Sequence, residues 1–389
     1  MIQTEFREHL TQKILPFWKK MKDDEFGGYY GFMDEDLNLD PKADKGCILN
    51  SRILWTFSAA AAALGQEDLR VYADHAYAFL KRFIDPLYGG VYWSLTYDGK
   101  PKDTTKHTYC QAFAVYGLAA YYRMSGNAEA IILAKELFHI IETRCSDEGG
   151  YLEALKADFS PESNEKLSEN GVMASRTMNT LLHVLEAQAE LYRAYPDEEV
   201  RKAGIAALDR FLEVFYSPDR KRLEVFCDNE YHPLLDMQSY GHDIEGSWLI
   251  WNAAETFLPE GERAPWKEMC IALLESATER GYSDHGLRYE ILNGVLNKIR
   301  AWWPQAEAVL GFEFGWRMTG DPVWLKRIRE QWEFILRVIV DHREGSEWFN
   351  EMMDRGPSVG KPIVDEWKCP YHNGRMCLRM MNAELPEEV

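Results

Sequence analysis

Side chains fit for proton transfer, anion stabilisation and sugar stacking recur along this sequence at matched distances. Asn50-Ser51-Arg52 is followed by Lys106-His107-Thr108-Tyr109, then Met178-Asn179-Thr180-Leu181-Leu182-His183, then Tyr240-Gly241-His242-Asp243-Ile244-Glu245. Trp302-Trp303-Pro304-Gln305-Ala306-Glu307 and Trp367-Lys368-Cys369-Pro370-Tyr371-His372-Asn373 complete the series. From Arg52 through Tyr109, Asn179, His242 and Trp303 to His372 the steps are 57, 70, 63, 61 and 69 residues. Tryptophan faces flanked by amide, phenol and carboxylate groups describe a carbohydrate site, where apolar sugar faces stack and hydroxyls are hydrogen-bonded. Histidines near neutral pH are acid–base groups for abstracting a proton next to a carbonyl. In the first turn of a helix the dipole favours neutral imidazole, the form a base must have, and both His242 and His372 fall there. Arg52 is suited to hold the oxygen of a developing enediolate. His183, His242, His372 and Glu245 include metal-ligand types, but no HExxH or comparable spacing is present, and no metal is expected. His9, His75, His139, His232, His285 and His342 fall outside the series and read as structural.

These groups need elements that bring them together. Segments pairing glycine with alternating aromatics return at Gly27-Gly28-Tyr29-Tyr30-Gly31-Phe32, Gly89-Gly90-Val91-Tyr92-Trp93 and Gly149-Gly150-Tyr151-Leu152-Glu153. Weaker copies stand at Leu223-Glu224-Val225-Phe226, Gly286-Leu287-Arg288-Tyr289-Glu290 and Ser346-Glu347-Trp348-Phe349, giving steps of 62, 60, 73, 63 and 60 residues. A fixed period means one supersecondary unit used repeatedly, and period-2 alternation bounded by turn residues reads as a short hairpin. Between hairpins there is room for two helices. Ile53-Leu54-Phe57-Ala61-Leu64 and Val71-Ala73-Ala76-Phe79-Leu80-Phe83 have helical spacing. The pattern predicts further helices near 3–21, 105–125, 127–144, 176–195, 198–217, 241–258, 263–280, 302–318, 322–340 and 370–382. Twelve helices in six pairs, with short β-hairpins between the pairs, are expected to close into an all-α (α/α)6 barrel spanning 1–389 as one domain. A linear solenoid would seldom interpose a hairpin in every repeat. In a closed barrel the equivalent helix of every pair, the one that follows each hairpin, runs in the same direction, so all six polar starts converge on one mouth. Asn50 suits a helix cap and Pro370 a first helical position.

Composition narrows the partners. With 44 Lys+Arg against 63 Asp+Glu, a formal charge of −19 argues against nucleic acid, anionic membranes and polyphosphates. Hydrophobic content of 46% suffices for a large packed core and excludes disorder. Residues 1–20 mix charges into their apolar positions, and no run reaches the ~18 apolar residues of a membrane span. Seven scattered cysteines without a CxxC pair read as reduced core residues. A cytoplasmic, monomeric, cofactor-free protein acting on a small molecule is expected.

At these residues the chain resembles the N-acylglucosamine 2-epimerase superfamily. The resemblance runs through Lys45 to Trp55, Thr105 to Tyr109, Ser168-Glu169-Asn170-Gly171 with Met178-Asn179-Thr180, Ser239 to Glu245, Trp302 to Glu307 and Trp367 to Arg375. It implies an (α/α)6 barrel and reversible C2 epimerisation of the reducing-end glucose of β-1,4-linked disaccharides. Cellobiose would give 4-O-β-glucosyl-mannose, lactose would also be accepted, and no cofactor would be used. After ring opening, one of His242 and His372 would remove the C2 proton and the other return one to the opposite face. Arg52 would bind the cis-enediolate, and Glu245 would orient or assist His242. Tyr109, Asn179, Trp303 and Trp367 would hold and stack the sugar, with Trp302, Glu307 and His183 in the same site. Gly246 departs from the alanine common in relatives. Three alternatives share the scaffold: a monosaccharide aldose–ketose isomerase, whose pocket should close beyond the first sugar; an (α/α)6 glycosidase using Glu245 and Glu307 as its carboxylate pair; and a non-enzymatic sugar-binding protein.

Overall fold

A computed structural model describes residues 1–164 and 171–386. Twelve helices account for most of the described residues. Helix α1 runs from Ile2–His9 through a π turn at Leu10–Ile14 to Leu15–Lys20. It is followed by α2 (Cys47–Leu64), α3 (Glu67–Leu80), α4 (Thr108–Ser125), α5 (Ala128–Arg144), α6 (Met178–Ala194) and α7 (Glu198–Arg210). Then come α8 (Tyr240–Phe257), α9 (Ala264–Gly281), α10 (Trp302–Thr319), α11 (Pro322–Phe334) and α12 (Tyr371–Met380). Like α1, helices α7 and α11 carry π turns, at Phe211–Phe215 and Ile335–Ile339.

The even-numbered helices are buried nearly all round, while the odd-numbered ones bury one face, as expected for inner and outer layers. Helix α2 is long and apolar enough to cross a membrane by length and composition, yet most of it lies inside the protein. Its buried Asn50, Ser51 and Arg52 mark it as an inner helix. The inner helices pack in sequence, α2 on α4, α4 on α6, α6 on α8, α8 on α10 and α10 on α12, and α12 packs back on α2.

The β structure is more distributed than six self-contained hairpins. Strands of two or three residues immediately precede the inner helices and pair antiparallel with the loop of the next unit: Lys45–Gly46 with Ser94–Leu95, Lys106–His107 with Ala154–Leu155 and Arg176–Thr177 with Phe226–Cys227. Met237–Ser239 pairs with Glu290–Leu292, and Arg300–Ala301 with Glu351–Met353. A bridge between Met33 and Val364 links the last unit to the first.

Each unit is pinned to its inner helix by polar side chains. A buried cation just before the helix meets an acid of the preceding turn: Lys45 with Asp23 at 2.5 Å, Lys106 with Asp85 at 2.9 Å, Arg176 with Asp147 at 2.6 Å and Lys368 with Glu347 at 3.0 Å. An amide or carboxylate in the first turn accepts a hairpin N–H. Asn50 takes that of Tyr29 (3.2 Å), Gln111 that of Val91 (2.7 Å), Asp243 that of Leu223 (2.9 Å) and Gln305 that of Leu287 (2.9 Å). Asn50 is therefore a tie between layers rather than a cap, and Pro370 sits one residue before the first helical residue, at the cap position. Glycine is required at Gly28: its φ is +69°, and a Cβ there would come within 2.4 Å of the Phe79 ring.

Candidate active site

All six inner helices contribute to one cavity of about 570 Å³ at their N-terminal ends. Arg52 comes from α2, Tyr109 from α4, Asn179 and His183 from α6, His242 and Glu245 from α8, Trp302 and Trp303 from α10 and His372 from α12, with Trp367 on the loop before α12. Of the residues singled out in the sequence, only Glu307 lies off the wall, fully buried behind His372. The mouth is built from loop residues that sequence reasoning did not mark, among them Phe226, Tyr289, Asn350, Lys361 and Asp365. Ser168, Glu169 and Asn170, part of the resemblance, lie outside the described residues.

The three cavity histidines are each held by Nδ1, which leaves Nε2 as the reactive edge. His372 Nδ1 donates to Glu307 Oε1 at 2.6 Å, and His183 Nδ1 to Glu186 Oε2 at 2.9 Å. His242 Nδ1 exchanges a hydrogen bond with the Ser239 hydroxyl at 2.8 Å. Ser239, not Glu245, therefore orients His242. The rings of His242 and His372 both pack on the Trp303 indole, with centroids at 4.8 and 5.6 Å. A Cβ at Gly241 would come within 2.5 Å of that indole, so the glycine beside His242 is what admits Trp303. The Gly246 departure has less consequence, since a Cβ there would meet only the end of the Leu223 side chain, at 2.9 Å.

Electrostatics keep these imidazoles in the basic form. Burial, with a smaller repulsion from His183, pushes His242 down to about 3. Burial, then the charges of Arg52 and Arg375, push His372 well below the ordinary imidazole value, and burial also lowers His183. Desolvation disfavours the cation in each case.

Beneath the cavity lies a cluster the sequence reading missed. The Arg375 guanidinium donates from Nη1 to Glu186 and Tyr371, and from Nη2 to Glu245 at 2.9 Å and Glu307 at 2.7 Å. It is sandwiched between the Trp248 and Tyr371 rings, 4.7 and 4.1 Å from their centroids. Trp248 Nε1 also donates to Glu307, at 2.9 Å. Burial raises the Glu245 carboxyl well above the carboxylate range, with repulsion from Glu307 adding to it. Glu186 goes the other way: against burial, Arg375 and His183 bring it down to about 2. The signal available in sequence was the i, i+3 spacing of His183 with Glu186 and of His372 with Arg375.

Two chemical alternatives lose support here. A glycosidase needs its carboxylates on opposite sides of the scissile bond. Glu245 and Glu307 instead share one arginine nitrogen, and Glu307 does not reach the cavity. Glu245, Glu307 and His372 do place donor atoms within 4.8 Å of one another, as a metal site would. The Arg375 guanidinium already occupies the Oε1 atoms of both glutamates, so a cation is supplied by the protein itself. Exhaustive chelation is accordingly expected to leave turnover unchanged; a loss restored by adding a divalent ion would refute this.

Arg52 has the opposite character. It is buried, and among the described residues no carboxylate pairs with it. Its Nη2 donates to the Tyr109 hydroxyl at 2.9 Å and its Nη1 to the Trp367 carbonyl at 3.3 Å, while the guanidinium carbon lies 4.2 Å from the Phe113 ring centroid. A buried cation without a counter-ion, on the wall of a cavity, is a site for an anion. Asn179 Oδ1 and Trp302 Nε1, both buried without a partner among the described residues, add an acceptor and a donor on the same wall.

Comparison with known proteins identifies the family. The sequence profile of the N-acylglucosamine 2-epimerase (GlcNAc 2-epimerase) family matches residues 28–373. A cellobiose 2-epimerase of Eubacterium cellulosolvens is 47% identical over 97% of this chain and 98% of its own, and one of Ruminococcus albus is 44% identical over 98% of both. The solved structure of cellobiose 2-epimerase from Bacillus thermoamylovorans B4167 superposes with a TM-score of 0.95 at 42% identity, covering 98% of each chain.

Proposed function

The chain belongs to the N-acylglucosamine 2-epimerase family, and on that premise we propose that it epimerises the reducing-end glucose of β-1,4-linked disaccharides at C2, with His242 and His372 as the acid–base pair. It is a carbohydrate epimerase of the isomerase class; cellobiose, giving 4-O-β-glucosyl-mannose, is the substrate indicated by its relatives. The ring of inner helices, each packed on the next and the last on the first, is read as the (α/α)6 barrel. The observation that carries the mechanism is the pair of histidines packed on one tryptophan, each with Nδ1 anchored, on the wall of a cavity shared with a buried arginine that has no carboxylate partner among the described residues.

The protons balance with both histidines neutral at rest. At ring opening His242 takes the O1 proton while Glu245, held protonated by burial, gives one to O5. His372 then takes the C2 proton, and the bonding electrons move onto O1 to form the cis-enediolate, whose charge Arg52 offsets. His372 is the better base for this step because the Glu307 carboxylate behind it favours the imidazolium, whereas His242 has only a neutral hydroxyl. After rotation about C2–C3, His242 returns its proton to the opposite face of C2. Closure passes the proton on His372 to O1 and the O5 proton back to Glu245. By reversibility the histidines exchange duties in the other direction. The cavity of about 570 Å³, lined by loop residues at its mouth as well as by the inner helices, supports a disaccharide over a free hexose.

The test is proton NMR with cellobiose in D2O, with no added metal or nucleotide. Growth of a mannose-type anomeric signal with deuterium at C2 is expected. Release of free glucose, or turnover of mannose to fructose with cellobiose untouched, would overturn the reading.

A further inference from the structure

Glu186 and Arg375 stand outside the roles given above, yet every proton-handling group of the cavity except His242 is tied to them. From His183 Nδ1 the contacts run to Glu186, from Glu186 to Arg375 and Tyr371, from Arg375 to Glu245 and Glu307, and from Glu307 to His372 Nδ1. All of these residues are at most 6% exposed. One guanidinium thus serves three carboxylates drawn from three helices, α6, α8 and α10.

Charge decides what that arrangement does. Glu245 and Glu307 place their Oε1 atoms against the same Arg375 nitrogen, close enough that without a cation between them they could not both ionise. Among the described residues, Glu307 receives three N–H donors, from His372, Trp248 and Arg375, while Glu245 receives only the one from Arg375. The donors therefore keep the negative charge on Glu307, behind His372, and leave the proton on Glu245, the member that faces the cavity. Removing the guanidinium would leave Glu307 with two donors and Glu245 with none, but would take away the one cation that offsets the Glu307 charge, so Glu307 would protonate more readily. On the other side, Glu186 is fixed by Arg375 and the Tyr371 hydroxyl, and so holds His183 edge-on to Tyr109, whose hydroxyl accepts from Arg52.

We propose that Arg375 is a positioning residue which, acting through Glu307, sets the basicity of His372 and, with Glu186, fixes His183 in the same wall. It touches no substrate atom. The proposal rests on the epimerase reading, and C2 deuterium exchange by the wild-type protein separates the two. If the wild-type protein fails to exchange, the epimerase reading falls; if it exchanges while the variants below behave as wild type, this proposal falls.

The experiment compares Arg375→Lys, Arg375→Ala and Glu186→Gln with the wild-type protein on cellobiose. Lysine keeps the charge but cannot span three carboxylates. In Arg375→Lys, kcat is expected to fall by about tenfold or more, a share of the ~10²–10⁴ that acid–base catalysis supplies, with KM changed by less than about threefold. Because Glu307 would then protonate more readily, the acid limb of kcat should move to higher pH. Glu186→Gln keeps the shape but exchanges one acceptor oxygen for an amide donor that faces either Arg375 or His183 and Tyr371, and it should lower kcat without changing KM. Guanidinium ion added to Arg375→Ala should restore part of the lost kcat, since the vacated space adjoins Glu245 on the cavity wall. An acid limb that stays at its wild-type pH in Arg375→Lys, together with wild-type kcat in Glu186→Gln, would overturn the proposal.

Discussion

His372→Asn is expected to lower kcat by at least about 10³-fold while the protein keeps its fold and its affinity for cellobiose. Asparagine is a demanding control because its amide N–H can take over the donation that His372 Nδ1 makes to Glu307. The buried network beneath the site then stays satisfied, and what is lost is the Nε2 lone pair alone. His242→Ala should be equally inactive, since one imidazole cannot serve both faces of C2. Circular dichroism, thermal unfolding and binding of a reduced disaccharide would verify that the variants are intact. Retention of more than a few per cent of activity in either would refute the two-histidine mechanism.

Arg52→Met should reduce kcat by about 10²–10³-fold, the range found when a preorganised donor to a developing oxyanion is removed. Its effect on stability should have the opposite sign from that of most buried substitutions. Arg52 is 2% exposed and pairs with no carboxylate among the described residues, so the folded state bears the desolvation of a cation without the compensating ion pair. Methionine keeps the packing against Phe113 and Tyr371 and removes that burden. The unfolding midpoint of Arg52→Met is therefore expected to equal or exceed that of the wild-type protein, the exchange of stability for activity typical of functional groups. A marked drop in the midpoint would show that Arg52 is held for structural reasons.

The six polar helix starts were legible in sequence because the repeat is covalent. One unit of roughly constant length places Arg52, Tyr109, Asn179, His242, Trp303 and His372 at equivalent points, and the helices begin within a few residues of where periodicity put them. What periodicity cannot reveal is contact between units. Lys45 was visible, but its partner strand, Ser94–Leu95, belongs to the next repeat. Arg375 lies about one turn and Glu186 about two turns below the helix starts, and they meet across the molecule, 189 residues apart in the chain. Glu245, at i+3 from His242, looked like that histidine's partner; in three dimensions it turns to Arg375, and Ser239, three residues before His242, takes the role. The mouth residues Phe226 and Tyr289 fall within the repeating segments and Lys361 outside them, but the repeat alone does not tell which side chains of those segments reach the cavity.

The three carboxylates beneath the cavity come from α6, α8 and α10, and the arginine that neutralises them comes from α12, the last of the inner helices along the chain. A ribosome releases the acids long before it releases the base. Until α12 arrives, Glu186, Glu245 and Glu307 lack the cation that all three contact. Docking of α12 supplies Arg375 and His372 in the same movement. The molecule thus has an electrostatic latch: the step that lets the ring of helices close also delivers the catalytic base, so a chain that has not finished folding has no means of drawing a proton from a sugar.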